Sequence, residues 1–572
     1  MFDVVFRGGK VVDGTGAPAR EADVAIVAGK IAAVGANLGP GREEVDARGK
    51  LVTPGWVDMH THYDGQVTWD PHLTPSGWHG VTTVVMGNCG VGFAPVRPNA
   101  HAWLIQVMEG VEDIPGSALS EGIRWGWESF PEYLDVLEKS PLALDIGTQV
   151  PHAALRAYVM GEDRSEDEAP TAEEVGQMKA LVKEALLAGA LGFSTSRTSL
   201  HKTAKGKFVA GTFAPVDELF GIAEALRETG LGVFECAGEH GMMDKEIDWM
   251  ERLAVETQRP VLFNLSQTDF APELWKKVLG KLEAAGARGA PLFAQVAGRA
   301  IGILMNWRVT AHPFVLHPTF QALSTLPWPE QLAKLRDPAV RAQILAEKPT
   351  ERGMFESYLT ATFAKMFPMV DPSADYEPRP DQSIAALAKA RGEDPKAVAY
   401  DAMLEADGTR FLYFPLFNFS NGNLDLLREL HAHPQTHFGL SDGGAHCGAI
   451  CDGGVPTFML THWARDRKDG LPLEAIVHRQ TQKTAQLYGL LDRGVLAPGY
   501  RADVNVIDLE RLALTSPSVV TDLPAGGRRL VQEAIGYDLT MVAGVVTMRA
   551  GAATGATPGR LIRGPQPAVS LT

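Results

Sequence analysis

The sequence predicts an α/β protein, a (β/α)8 TIM barrel with a small β-sandwich domain formed by both chain termini. Three observations predict it. The middle of the chain alternates short apolar runs with long helical patterns, polar residues gather at the C-terminal end of nearly every candidate strand, and β-rich segments flank this middle on both sides. An open doubly wound sheet is the alternative interpretation of the same alternation.

The two ends of the chain share a pattern of short strands separated by glycine turns. This pattern appears in FDVVFRGGKVVDG near the start and in ADVNVIDLE (502–510) and DLTMVAGVVTMRAG (538–551) near the finish. Such runs are typical of small antiparallel β-structures. We therefore expect 1–55 and 480–572 to form one composite sandwich, into which the barrel, 56–479, is inserted.

Eight β-rich runs in the middle of the chain are the candidate barrel strands. They are WVDMHTH (56–62), VTTVVMGNCG (81–90), LDIGTQVPH (144–152), ALGFSTS (190–196), LGVFECAG (231–238), PVLFNLSQT (260–268), PLFAQVAG (291–298) and THFGLSDGG (436–444). Helical patterns lie between several of them, and those at 171–189 and 216–230 end in glycine, a helix stop signal.

Two connections are much longer than ordinary loops, at about 91–143 and 299–435. The second is interpreted either as a lid or substrate-binding insertion or as a structural embellishment.

Composition excludes several classes of protein. The 572 residues include 53 Lys and Arg against 69 Asp and Glu, a formal net charge of −16. This balance argues against a nucleic-acid or anionic-membrane binder. We expect no membrane-spanning helix, because no run of about 18 uncharged apolar residues occurs. Four cysteines form no disulfide scaffold, and the N-terminus lacks a signal-peptide apolar region, so a cytoplasmic location is expected.

Polar residues lie at the C-terminal ends of the first, second and eighth candidate strands, and these three strands are neighbours in a closed barrel. His60 and His62 are two residues apart and so face one side of the first strand, where two imidazoles can chelate zinc. Cys89 ends the second run and Asp442 the eighth. Taken singly, each signal has another explanation: sixteen histidines produce a chance His-x-His, cysteine is commonly a small buried hydrophobe, and Asp before Gly-Gly is a common turn residue.

The segments around these residues resemble the amidohydrolase superfamily and, within it, the N-acyl-D-amino-acid deacylase (D-aminoacylase)-like family. The matching segments are PGWVDMHTHYD (54–64), GVTTVVMGNCGVGFAPVRP (80–98), GALGFSTS (189–196), GLSDGGAH (439–446) and RGVLAPGYRADVNVID (493–508). The resemblance implies that His60 and His62 bind one metal ion and that Cys89 is a ligand able to bridge two ions. It also implies that Asp442 touches the metal and acts as general base and acid.

The fifth and sixth strands depart from the family pattern. The family has a histidine ligand at the end of each, where this chain has Ala237 and Leu265. We expect one tightly held zinc ion bound by the four residues above, and a second metal position that has lost two of its ligands. Glu235 and Glu239 lie two residues on either side of Ala237 and can substitute there. The family's substrate-binding lysine is also missing, and Gln267 stands nearby.

Two further residues are candidates for substrate binding. His152 lies in a stretch that resembles the family after the third strand, and a place at a helix N-terminus is its alternative explanation. Arg299 follows the seventh strand and can pair with a substrate carboxylate, unless it is an ordinary helix-start arginine.

The sequence therefore predicts a metal-dependent hydrolase of carbon–nitrogen bonds other than peptide bonds. Its expected partner is a small-molecule amide, a linear N-acyl amino acid whose D configuration the resemblance suggests. The sequence leaves open whether the protein forms a homo-oligomer. The alternatives are a cyclic-amide or lactone hydrolase using the same site and a non-catalytic scaffold that has lost the fifth- and sixth-strand ligands.

Overall fold

Eight parallel strands run through the middle of the chain in the computed structural model, which describes residues 1–350, 353–370 and 374–569. In order they are Trp56–Asp58, Val81–Met86, Asp145–Thr148 with its continuation Val150–Pro151, Gly192–Ser196, Val233–Ala237, Val261–Asn264, Leu292–Val296 and Thr436–Phe438. Each lies inside a run that the sequence predicts as a strand, so these eight predictions are confirmed. The strands are shorter than the runs because the polar residues at their C-terminal ends leave the sheet.

Neighbouring strands in the chain are neighbours in space. The first, second and third strands pair in parallel, and the continuation of the third pairs with the fourth, which leads through the fifth, sixth and seventh to the eighth. An isolated parallel bridge joins Thr61, beyond the first strand, to Gly443, beyond the eighth, and His62 N–H donates to the Gly443 carbonyl at 2.8 Å. The segments after the first and eighth strands therefore lie side by side.

Helices connect the parallel strands. They comprise His152–Met160, Glu162–Asp167, Ala172–Ala188, Val216–Thr229, Met243–Thr257 and Leu274–Ala287, with Val455–Phe458, the π-helical Met459–Asp466, Leu473–Gln480 and Gln482–Leu487 after the eighth strand. The predicted helices at 171–189 and 216–230 are confirmed. Thr171 caps the first of these by accepting a hydrogen bond from the Glu174 N–H, and Gly230 ends the second with a left-handed backbone. No helix in the described part of the chain is both long and apolar enough to cross a membrane.

The two long connections fold into structure of their own. The first contains the helices His101–Glu112, Gly116–Gly122 and Phe130–Glu138. The second contains the short antiparallel strands Gly302–Met305, Phe367–Pro368 and Leu412–Pro415, and the helices Pro318–Leu323, Trp328–Leu335, Pro338–Ala346, Met354–Ala361, Ile384–Arg391, Pro395–Gly408 and Asp425–Ala432. Much of the second connection packs around a separate apolar core that includes Trp307, Phe314 and Tyr400.

Strands from both chain ends share one mixed sheet. Its order is Ala552–Ala553, Val545–Arg549, Tyr537–Val542, Val504–Ile507, Leu51–Pro54, Phe2–Val11, Arg20–Val27 and Lys30–Gly35, with Gly41–Asp46 also on Phe2–Val11. Val504 pairs with Pro54, which joins the two ends, and Phe6 and Met541 lie in one buried core. Two further antiparallel pairs are Ala513–Leu514 with Ala534–Ile535 and Ser518–Leu523 with Gly527–Val531.

Candidate metal centre

Three side chains of the kinds that can bind a metal ion meet where the first and second strands end. One ligand atom from each of His60, His62 and Cys89 lies within 4.8 Å of the others. The Cys89 Sγ is 3.3 Å from the His60 Nε2. All three residues are buried. The sequence placed these residues at neighbouring strand ends, and the structure brings them together.

Asp442 joins them from the segment after the eighth strand. Its Oδ1 lies 3.3 Å from the His60 Nε2 and 3.8 Å from the His62 Nε2. Asp442 and Cys89 both have left-handed backbones, with φ of 48° and 56°. Such a conformation is uncommon outside glycine and concentrates at functional sites. Two imidazole nitrogens, a thiol and a carboxyl oxygen therefore face one another.

The opposite ring nitrogen of each histidine faces an outer polar partner. The His60 Nδ1 donates to the Gln295 Oε1 at 2.9 Å, because an amide oxygen can only accept. The His62 Nδ1 lies 3.3 Å from the Glu112 Oε1, within ion-pair range although the two atoms are not aligned as a hydrogen bond. Outer partners of this kind orient histidine ligands. The His60 Nε2 then faces Cys89 and Asp442, and the His62 Nε2 faces Asp442.

Sequence reasoning missed these two outer partners. Gln295 is a fully buried polar residue in the otherwise apolar seventh run, and that contrast could have signalled it. Glu112 is the last residue of the helix His101–Glu112 and is 1% exposed. Its Oε2 also lies 3.5 Å from the His446 Nε2. Nothing local in the sequence marks Glu112, because the long connection after the second strand carries it to the site.

A buried hydrogen-bond network ties the first strand to the segment after the eighth. The Asp58 Oδ1 accepts from the His60 N–H at 3.2 Å, and its Oδ2 accepts from the Ser441 hydroxyl. The same hydroxyl also contacts the His60 carbonyl at 3.2 Å. Asp58 and Ser441 thus fix the backbone on both sides of the candidate centre.

The centre is rich in buried acidic groups. Burial raises the pKa of Asp442 to about 8 and that of Glu235 to about 8, and it raises the pKa of Glu112 well above its ordinary value. Burial also lowers the pKa of His60 to about 4, which keeps this imidazole neutral and able to bind a metal. Within the described residues, no lysine or arginine pairs with any of these carboxyls. Ionised carboxylates in such a place need a cation.

The fifth and sixth strands bring different residues to the centre. Ala237 is the last residue of the fifth strand and Leu265 follows the sixth, and both are buried and apolar. Glu235 reaches the second strand's end, where one carboxyl oxygen accepts from the Cys89 N–H at 3.0 Å and the other has no hydrogen-bond partner among the described residues.

His152 begins a helix and is part of a buried polar network. Its Nδ1 is 2.8 Å from the Thr195 Oγ1, and its Nε2 is 3.0 Å from the Glu218 Oε1. Arg156 also pairs with Glu218. Both ring nitrogens of His152 are therefore engaged within the protein, and its contact with substrate stays a prediction.

Arg299 and Gln267 also have partners within the protein. The Arg299 Nη2 donates to the Asp452 Oδ1 at 2.8 Å, and the guanidinium lies 3.5 Å from the Tyr376 ring centroid. The Gln267 Oε1 accepts from the Ser420 N–H at 3.0 Å. Their roles in substrate binding likewise stay predictions.

Comparisons with known proteins match nearly the whole chain. Residues 43–548 match the model of the amidohydrolase family. D-aminoacylase from Alcaligenes xylosoxydans xylosoxydans is 28% identical over 573 residues, covering 98% of this chain and 97% of that protein. N-acyl-D-aspartate deacylase from the same organism is 28% identical over 528 residues, covering 91% of this chain and 87% of that protein.

A solved D-aminoacylase, studied for the role of its binuclear metal centre, superimposes with a TM-score of 0.65. It is 25% identical and covers 99% of this chain and 100% of that one. The structure therefore has the α/β architecture of that enzyme. Since the family model spans most of the sequence, the chain belongs to the amidohydrolase family.

Proposed function

We propose that this chain is a metal-dependent hydrolase that cleaves linear amides and deacylates N-acyl amino acids. One observation carries the proposal: the His60 Nε2, the His62 Nε2, the Cys89 Sγ and the Asp442 Oδ1 face one another in a buried site. The relatives named D-aminoacylase and N-acyl-D-aspartate deacylase support an N-acyl amino acid as the substrate and its D configuration.

We also propose that the eight parallel strands close into a (β/α)8 barrel spanning 56–479. The bridge between Thr61 and Gly443 and the hydrogen bond from Ser441 to Asp58 support closure between the first and eighth strands. The terminal segments, 1–55 and 480–572, are proposed as the sandwich domain, which their shared sheet supports.

Zinc is the ion that this donor set fits best. Imidazole nitrogen, thiolate sulfur and carboxylate oxygen are its usual ligands in proteins. The buried carboxyls around the site support a divalent cation there, because they have no lysine or arginine partner among the described residues. When bound, such an ion supplies positive charge that polarises a substrate carbonyl and makes a water molecule more acidic.

The chain's own residues hold the ligands and move the proton. Gln295 and Glu112 keep the imidazoles turned so that both Nε2 atoms face the site. The Asp442 carboxylate accepts the proton of the attacking water as the new carbon–oxygen bond forms. It then delivers that proton to the leaving nitrogen as the carbon–nitrogen bond breaks, so no net proton is gained or lost.

A single tightly held ion is the proposed stoichiometry. Ala237 and Leu265 offer no ligand atom at the positions where the family has histidines. Glu235 is the acidic residue nearest to Cys89 on the fifth strand, and its unpartnered oxygen supports a contact to the ion or to the substrate.

A cytoplasmic location is proposed as well. Cys89, Cys236, Cys447 and Cys451 are all unpaired, which supports a reducing compartment. Expression in bacteria, with a fractionation that separates cytoplasm from periplasm, tests this directly, and recovery from the periplasm contradicts it.

The test of the function combines metal analysis with a substrate panel. The double variant H60A/H62A is compared with H433A, which removes a histidine that pairs with the exposed Glu283 and not with the candidate centre. We expect about one zinc per chain in wild type and H433A and none in the double variant. Both enantiomers of N-acetyl amino acids, a cyclic imide and a lactone are then assayed.

Each outcome of the panel has a clear meaning. Hydrolysis of the linear amides by wild type and H433A alone supports the proposal. Hydrolysis of only the imide or the lactone favours the cyclic-substrate alternative, and absence of metal and of all turnover favours the scaffold. Zinc and turnover retained by H60A/H62A contradict the assigned site.

A further inference from the structure

A cavity of about 510 Å³ lies apart from the candidate metal centre. It is bounded by the end of the helix His101–Glu112, by the connection 299–435 and by the C-terminal strand Gly527–Val531. Neither the four proposed metal ligands nor Glu235 is among its lining residues. Its volume suits a small-molecule ligand.

Hydrogen-bond donors without acceptors line this cavity. Arg308 and Arg528 both line it, and neither forms an ion pair within the described chain. The Arg308 Nε is buried, and so is the indole Nε1 of Trp307, another lining residue; neither atom has a hydrogen-bond partner in the part of the chain that the structure describes. A buried donor without an acceptor is costly, so such donors indicate a missing partner.

The acidic residues of the same cavity are already engaged. The Asp113 Oδ2 accepts from the Thr310 hydroxyl at 2.8 Å and from the Gly448 N–H at 3.1 Å. The Glu109 Oε1 accepts from the Gly116 N–H at 3.0 Å. Both carboxylates therefore accept hydrogen bonds from the wall of the cavity, and neither forms an ion pair with Arg308 or Arg528 in the described chain.

A third arginine that lines the cavity already has an ion-pair partner. Arg529 pairs with Asp522 at 2.7 Å and differs in this respect from its neighbour Arg528. Of the three arginines that line the cavity, Arg308 and Arg528 therefore keep guanidinium groups without an ion-pair partner in the described chain.

The two unpaired arginines also repel each other. Burial and the charge of Arg528 lower the pKa of the Arg308 guanidinium. The Arg308 guanidinium lies 5.5 Å from the Trp328 ring centroid, which holds it in place but does not neutralise it. An anion between two such groups would remove the repulsion and supply the acceptors that the donors lack.

We propose that this cavity binds a small organic anion, and that Arg308 and Arg528 grip its carboxylate or phosphate group. A planar guanidinium matches both groups because it can donate two parallel hydrogen bonds to them. Cys447 and Gly448 line the cavity directly after His446, and Asp113 lines it directly after Glu112. The bound anion would therefore contact the two backbone segments that carry His446 and Glu112 to the metal centre.

Calorimetric titration of the full-length protein tests the proposal, with inorganic phosphate and succinate as probes and chloride at equal ionic strength as the reference. Arg308 and Arg528 are replaced by alanine together, and R528E is made separately because Arg528 is exposed and its change spares the fold. R511A is the matched control, since Arg511 is exposed on the same C-terminal segment and lies outside the cavity.

Saturable binding of phosphate or succinate by wild type and R511A is expected. R528E and the double variant should bind at least about tenfold more weakly, because each loses charge-assisted hydrogen bonds. Stronger binding of one probe identifies the anionic group preferred. The proposal is overturned if wild type binds phosphate and succinate no more tightly than chloride. It is also overturned if R528E binds them as tightly as wild type, because the anion then binds elsewhere. Should the double variant fail to fold, R528E alone decides.

Discussion

Gln295, near the end of the seventh strand, accepts a hydrogen bond from the His60 Nδ1 at 2.9 Å and so determines which nitrogen of His60 faces Cys89. The contact spans 235 positions of the chain and is completely buried. It makes the seventh strand part of the candidate metal centre although this strand supplies none of the proposed ligands.

Replacing Gln295 should weaken metal binding without removing a ligand. We expect Q295L to lower zinc affinity by about 10- to 100-fold, the usual cost of losing an outer hydrogen bond to a histidine ligand. Q295E keeps an acceptor and should bind more tightly than Q295L. Competition with a fluorescent zinc chelator measures the three affinities. Q343A, on an exposed helix, is the control, and an unchanged affinity in Q295L contradicts the assigned role.

Glu112 should act on His62 in a similar way. Its carboxylate lies 3.3 Å from the His62 Nδ1, so E112Q removes a negative charge while the shape of the side chain stays the same. We expect zinc affinity to fall by about tenfold or more. E121Q, on an exposed position of the same long connection, should match wild type. If E112Q and E121Q release zinc at the same chelator concentration, Glu112 does not support the site.

Asp442 is expected to carry the proton in the reaction. D442N preserves shape, and asparagine tolerates the left-handed backbone at φ 48°, so the fold should persist. Loss of general base and acid function should lower kcat by about 100-fold or more. Steady-state kinetics with an N-acyl amino acid and a circular dichroism melting curve measure the two properties. A folded D442N with kcat within about threefold of wild type would falsify this role.

Arg299 offers a test that separates a structural role from a role in substrate binding. It is buried and pairs with Asp452 at 2.8 Å, so R299M leaves a carboxylate buried without its partner. We expect a loss of about 3–5 kcal/mol in the free energy of unfolding. R341M breaks an exposed pair with Asp401 and should cost less than about 1 kcal/mol.

Urea unfolding of both variants and the KM of R299M decide between the two roles. Stability equal to wild type, together with a tenfold rise in KM for carboxylate-bearing substrates, would instead assign Arg299 to the substrate.

Much of the fold could be predicted from local sequence. The eight parallel strands all lie inside predicted runs, because buried strands are short, apolar and bounded by turn residues. His60, His62, Cys89 and Asp442 could be placed at neighbouring strand ends for the same reason. Their convergence depends only on the order of the strands, which the chain sequence already contains.

The rest of the site depends on contacts that local patterns do not encode. Glu112 arrives on a helix of a long connection, and nothing near it in the chain indicates which strand end it meets. Arg299 looked like a free cation at a strand end, but Asp452, distant in sequence, pairs with it. In both cases the decisive partner is more than 40 positions away, where sequence periodicity carries no information.

X-ray absorption spectroscopy at the zinc edge, on protein purified without added metal, tests the central claim most directly. The account predicts about one zinc ion per chain, with one sulfur ligand at roughly 2.3 Å and the remaining ligands nitrogen or oxygen. A C89S variant should lose the sulfur scattering. Protein without bound metal, or zinc whose ligands include no sulfur, would contradict the account.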